Sequence, residues 1–130
     1  MTLYDSSVLI DYLDDDVEAK RYVESHLDTL AVAPPIVLFE VYQGEVFKTG
    51  PADFDAVDRA LSWLTVVDVS ADMARAAGEL QNALQQQGEP LAARDAFIAG
   101  TASALDERLA VADSDFEVKG ITDLIAVDFL

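Results

Sequence analysis

The sequence predicts a single α/β domain in which helices cover both faces of a mostly parallel sheet. Two observations predict it. Short β-branched or apolar runs alternate with longer segments of helical periodicity from one end of the chain to the other. The 130 residues, 52% of them hydrophobic, suffice for one sizeable core, and no linker-like tract or internal repeat divides them, so residues 1–130 read as one domain.

The elements follow in order. Thr2 to Asp5 reads as a first strand, and Ser7 to Leu13 as a helix with Val8, Leu9, Tyr12 and Leu13 on one face. The acidic run Asp14-Asp15-Asp16 reads as a solvated helix start, with Asp15 or Asp16 opening a helix over Val17 to Leu27. Leu30 to Ala33 is a short strand, and Pro34-Pro35 suits the start of a helix reaching about Lys48, before Gly50-Pro51. Phe54 to Leu64 reads as helix, Thr65 to Val69 as strand, and Ala71 to Gln87 as a long amphipathic helix closed by Gly88 and Pro90. Leu91 to Leu105 is a helix, Leu109 to Ala112 a strand, Ser114 to Val118 about one turn and Leu124 to Val127 a last strand.

Four acids sit where acids are rare. Asp5 lies between Leu3-Tyr4 and Ser6-Ser7-Val8-Leu9-Ile10; Glu40 lies within Ile36-Val37-Leu38-Phe39-Glu40-Val41-Tyr42. Asp95 opens Asp95-Ala96-Phe97-Ile98-Ala99-Gly100, and Asp113 ends Leu109-Ala110-Val111-Ala112. Carboxylates enter apolar surroundings only when paired or bound to a metal. In parallel α/β sheets, sites form outside the carboxyl ends of the strands, where Asp5 and Asp113 fall. Four acids brought together either take up protons or bind a cation. Oxygen-only ligands suit Mg²⁺ or Mn²⁺. Zinc is disfavoured by the absence of Cys and by a single His, His26, which reads as a surface residue. A carboxylate-held divalent ion activates water and offsets charge on a phosphate, the chemistry of phosphodiester hydrolysis. No Ser-His-Asp set, Cys-His set or phosphate-binding glycine loop competes.

Taken singly, each acid also has a plain structural use: Asp5 and Asp113 as turn formers, Glu40 on a helix flank, Asp95 as a cap. Arg94 could hold the carboxylate cluster or a substrate phosphate, or be a surface ion pair. Trp63, Phe54, Phe97 and Phe129 read as core or dimer interface.

Net charge is −17, from 25 acidic and 8 basic residues, and no basic stripe is visible to hold nucleic acid. Asp outnumbers Glu 17 to 8, and Lys occurs only at 20, 48 and 119. Such a surface fits a very salty cytoplasm, where repulsion is screened within about 3 Å at 1 M salt, so the composition predicts a halophilic protein. No apolar run is long enough to span a membrane and nothing at the amino terminus reads as a signal peptide, so a cytoplasmic location is expected.

At the acidic segments the chain resembles the PIN domain family, in particular VapC-like toxin ribonucleases. Leu3-Tyr4-Asp5-Ser6-Ser7-Val8 is similar to the family's opening, an Asp followed by Thr or Ser and then Ser. Phe39-Glu40-Val41-Tyr42-Gln43-Gly44 resembles the second motif, Asp95-Ala96-Phe97-Ile98-Ala99-Gly100-Thr101-Ala102 the third, and Ala112-Asp113-Ser114-Asp115 the last. The resemblance implies a PIN-like three-layer α/β/α sandwich and an endoribonuclease dependent on Mg²⁺ or Mn²⁺. It implies that Asp5, Glu40, Asp95 and Asp113 form the metal pocket with Asp115 near it, and that Ser7 orients Asp5 or a water on the metal. It implies a homodimer held inactive by an antitoxin that often inserts a basic residue into the pocket.

The chain departs from the family at the fourth motif, where Val111 stands in place of a Thr or Ser and Ala112 in place of a basic residue. These departures keep a second class open, a degenerate PIN domain that only binds a partner protein. A receiver-type domain would need an acid pair on the first strand. A haloacid-dehalogenase-like phosphatase would need an Asp at position 7, where Ser7 stands.

Overall fold

A computed structural model describes residues 1–130. Its elements are β1 (Thr2–Tyr4), α1 (Ser6–Leu13), α2 (Val17–Ser25), β2 (Ala31–Ala33), α3 (Pro35–Val46), α4 (Phe54–Ala60) and β3 (Leu64–Val66). They continue with α5 (Ala71–Gln86), α6 (Ala93–Leu105), β4 (Arg108–Val111), a 3-10 turn (Ser114–Phe116), α7 (Ile121–Leu124) and β5 (Val127–Phe129).

The five strands form one sheet in the order β3-β2-β1-β4-β5, with every pair parallel. Consecutive residues of β1 and β4 (Leu3 and Tyr4; Leu109, Ala110 and Val111) are all buried. Successive strand residues point to opposite faces, so both faces of the sheet are covered, as the α/β/α sandwich requires. From β1 the chain builds outward first through β2 and β3, then returns to place β4 on the other side. The carboxyl ends of β1 and β4 therefore flank a switch point, where open α/β sheets place their ligands.

Three boundaries differ from the sequence reading. The chain over 124–127 is not the last strand: Gly120 adopts φ +90° and opens the short helix α7, and β5 starts only at Val127. Pairing fixes this register, with Leu109 opposite Val127 and Val111 opposite Phe129. The strand expected over 65–69 is Leu64–Val66, because its partner β2 offers only Ala31–Ala33 before Pro34 turns the chain into α3. The helix from Phe54 stops at Ala60 rather than Leu64. No helix is long and apolar enough to cross a membrane.

The acidic run caps helices. Asp16 accepts the Ala19 N–H at 2.9 Å as the α2 cap, and Asp15 carries a positive φ of 63° between α1 and α2. His26, half-buried, stacks on Tyr22 with ring centroids 4.0 Å apart. Trp63 packs edge-on against Tyr4 and Tyr12, Phe97 is half-buried, and Phe54 and Phe129 are exposed.

Helices α5 and α6 form a tight pair. A Cβ on Gly100 would lie 2.3 Å from Ala77 Cα, far inside van der Waals contact. The absence of a side chain at 100 lets the two backbones meet. It also fixes where the first turn of α6, bearing Arg94 and Asp95, stands relative to the sheet.

Candidate active site

Asp5 leaves β1 and caps α1. Its Oδ2 accepts the Ser7 backbone N–H at 3.1 Å and the Ser7 hydroxyl at 2.6 Å. The Ser7 Oγ in turn accepts the Ala112 N–H at 2.9 Å. One hydroxyl thus joins the end of β1 to the segment just after β4. Asp5 is 1% exposed, so its remaining oxygen needs a partner.

That partner is Arg94, on the first turn of α6. Its Nη2 lies 3.2 Å from Asp5 Oδ1 and donates to the Ser6 Oγ at 3.0 Å. Nε and Nη2 together grip both oxygens of Glu40, which reaches in from the middle of α3, and Nη1 donates to Asp95 Oδ1. The sequence left three uses open for Arg94, and the geometry displays it holding the carboxylate cluster. The planar fork suits this task, since it presents five N–H donors in a fixed array.

Asp95 is buried and lies in the first turn of α6, where a carboxylate is favoured by the helix dipole. It accepts Arg94 and is not the α6 cap, which is Ala92 without a side-chain bond. Burial pushes its carboxyl above the usual range; Arg94 pulls it down, while Asp5 and Asp113 push it up. For Arg94, burial opposes the charge, but the Glu40 hydrogen bond and the charges of Asp5, Glu40 and Asp95 outweigh it and hold the guanidinium protonated.

Asp113 and Asp115 stand at the outer side. Asp113 Oδ1 accepts the Asp115 N–H at 2.9 Å and caps the 3-10 turn, so the turn-forming use is realised here. Both acids line the same open cleft as Asp5, Ser7, Glu40, Arg94 and Asp95, with a volume of about 430 Å³. The structure thus brings every candidate residue to one place. It does not group three acidic side chains as a ready-made ion site, because the converging oxygens are turned on the guanidinium. Val111 is fully buried in β4, and Ala112 offers the cleft's neighbourhood its backbone N–H.

Ser6 was not among the sequence candidates. The doubled serine after a strand-ending acid was the available signal, but such residues open many helices without further use. A larger open groove of about 600 Å³ lies at the opposite, amino end of the strands, beside Thr2, His26 and Arg108. It holds none of the seven candidate residues.

The PIN domain profile matches residues 2–121. The chain belongs to the PIN domain family. Among solved structures, a chain of VapBC2 from Rickettsia felis bound to a promoter DNA fragment superposes with a TM-score of 0.81 at 20% identity, covering 98% of this chain and 97% of that one. A chain of DNA-bound VapBC from Salmonella typhimurium gives 0.78 at 18% identity over 98% and 96%. A toxin–antitoxin complex from Klebsiella pneumoniae gives 0.70 at 25% identity over 89% and 90%. Among curated proteins, none matches this sequence. At identities of 20% and below, the first two likenesses establish the fold.

Proposed function

We propose that this PIN domain is a divalent-metal-dependent endoribonuclease, the toxin of a type II toxin–antitoxin pair. The observation that carries this reading is the convergence of Asp5, Glu40 and Asp95 on a single cation at the carboxyl end of β1, with Asp113 and Asp115 lining the same cleft. Three carboxylates already surround the chain's own guanidinium there, and an all-oxygen donor set is the kind that suits Mg²⁺ or Mn²⁺. Asp5, Glu40 and Asp95 would hold the ion, with Asp113 and Asp115 as the outer acids. When bound, such an ion would lower the pKa of water and offset charge on the scissile phosphate. Ser7 fixes the direction of Asp5 through its short hydroxyl bond, and the Ser6 hydroxyl, which accepts from Arg94, stands at the same cleft.

An antitoxin partner is proposed from the structural neighbours, which are toxin–antitoxin complexes, two of them holding DNA. Exposed Phe39, Phe47 and Phe54 on and beyond α3 provide apolar surface for that partner or for a second copy in a homodimer. The substrate is read as RNA through the family. An acidic protein would approach RNA by way of the bound ion and screening salt, leaving recognition to shape and unpaired bases.

The test is incubation of the purified protein with structured RNAs, with and without Mn²⁺, beside Asp5→Asn and Asp95→Asn. Metal-dependent cleavage by the parent alone is expected. Cleavage that survives either substitution would remove the proposed site. Absence of both metal binding and cleavage in high KCl would favour the partner-binding reading, to which Val111 and Ala112 point slightly.

A further inference from the structure

All three nitrogens of Arg94 are engaged inside the cluster. Nε and Nη2 take Glu40, Nη1 takes Asp95, and Nη2 also reaches Asp5 and Ser6. These are the oxygens that the proposed divalent ion needs. The guanidinium fills the space among both Glu40 oxygens and one oxygen each of Asp5 and Asp95, so an ion coordinated by all three acids would have to enter the space it occupies. The two cations are also unequal. Three carboxylates against one guanidinium leave a formal charge of −2 in a largely buried setting, which a divalent ion would balance more fully. The arginine side chain remains 32% exposed while Asp5 and Asp95 are 1% and 7% exposed. It can therefore leave by rotating about its own stem, whereas the acids are held by β1, by Ser7 and by α6.

We infer that Arg94 is a built-in counter-ion latch: it occupies the acidic pocket of the metal-free protein and must be displaced for a divalent ion to bind there. The inference rests on the reading of this cleft as a metal pocket. Its consequence is that metal loading is a competition within the chain. The apparent affinity is that of the open form multiplied by the fraction of molecules in which the latch is open. A latch closed in nine molecules of ten would weaken apparent affinity about tenfold.

Mn²⁺ affinity measured by calorimetry on the full chain, for the parent and for Arg94→Gln, tests this. Arg94→Gln is expected to bind Mn²⁺ on the order of tenfold more tightly, in line with that competition. Equal or weaker binding by Arg94→Gln, with the parent still binding, would overturn the latch and leave the metal pocket standing. Absence of Mn²⁺ binding in both proteins would overturn the latch and the metal pocket together. Should Arg94→Gln fail to fold, the parent alone decides by NMR. Mg²⁺ is expected to move the Arg94 Nε–H resonance to the position of a free, solvated guanidinium. A resonance unmoved at Mg²⁺ saturation would overturn the latch.

Discussion

Two arginines organise two charge clusters, and they differ in their arithmetic. Arg108 on β4 meets Asp128 on β5 at 2.7 Å, and the other Asp128 oxygen accepts the Tyr22 hydroxyl at 2.6 Å. One positive group faces one negative group, with a neutral phenol completing the set. Arg94 faces three carboxylates, with Asp113 and Asp115 beside them. The first cluster is satisfied as it stands and ties α2, β4 and β5 together. The second remains in charge deficit, and a fold that keeps uncompensated acids out of water does so for a ligand or a proton. The lesson is that the two clusters differ in charge balance more than in the kind of ion pair they contain.

The strongest way to break that contrast is to neutralise one acid in each cluster. Asp95→Asn should lower cleavage by at least about a hundredfold, the scale on which single electrostatic contributors act. It should not lower the urea midpoint of the metal-free protein, because the native environment already disfavours the charge on Asp95. Asp128→Asn should do the reverse. Cleavage stays unchanged while stability falls by about 1–2 kcal/mol, from a partly exposed ion pair and a weakened phenol bond.

A change remote from both clusters comes next in size. Gly100→Val should cost about 1–3 kcal/mol by overpacking α5 against α6. If α6 is what sets the place of Arg94 and Asp95, Mn²⁺ affinity should change with it. An unchanged affinity in a destabilised protein would show that the pocket tolerates movement of the helix pair.

Tyr4, buried on β1 and influenced by Asp128, has its own signature at high pH. Burial, and then the charge of Asp128, push the Tyr4 phenol from 10.0 up to about 12. Its folded-state value lies above its unfolded one. The associated stability is therefore complete below pH 10 and is lost as pH rises toward about 12. Chemical denaturation across that window should show the decline, and Tyr4→Phe should make it shallower. The smallest expected effect is the most diffuse: unfolding midpoints should rise gradually along a KCl series as the net charge of −17 is screened. A maximum at low salt would remove the halophilic reading.

Much of this was legible in the sequence because the signals were local. Asp5 and Asp95 each stand at the edge of an apolar run whose neighbours, such as Leu3, Val8, Ile98 and Ala99, are buried. The alternation of strands and helices announced a parallel sheet. What depended on distant partners was hidden. The grip of Arg94 on Glu40 joins residues 54 apart in sequence, and no local pattern encodes it. The position of β5 followed the same rule: an apolar run over 124–127 offered several registers, and only the edge of β4 chose among them.

The Ser7 bridge bears on the chain's unusual fourth segment. Its bond across the sheet edge is to the peptide N–H of residue 112 and not to a side chain. Every residue type but one presents that group. The bond itself therefore does not depend on which side chain stands at 112, and proline alone would remove its donor. The alanine found there is a change of furnishing at a doorway whose frame is made of backbone.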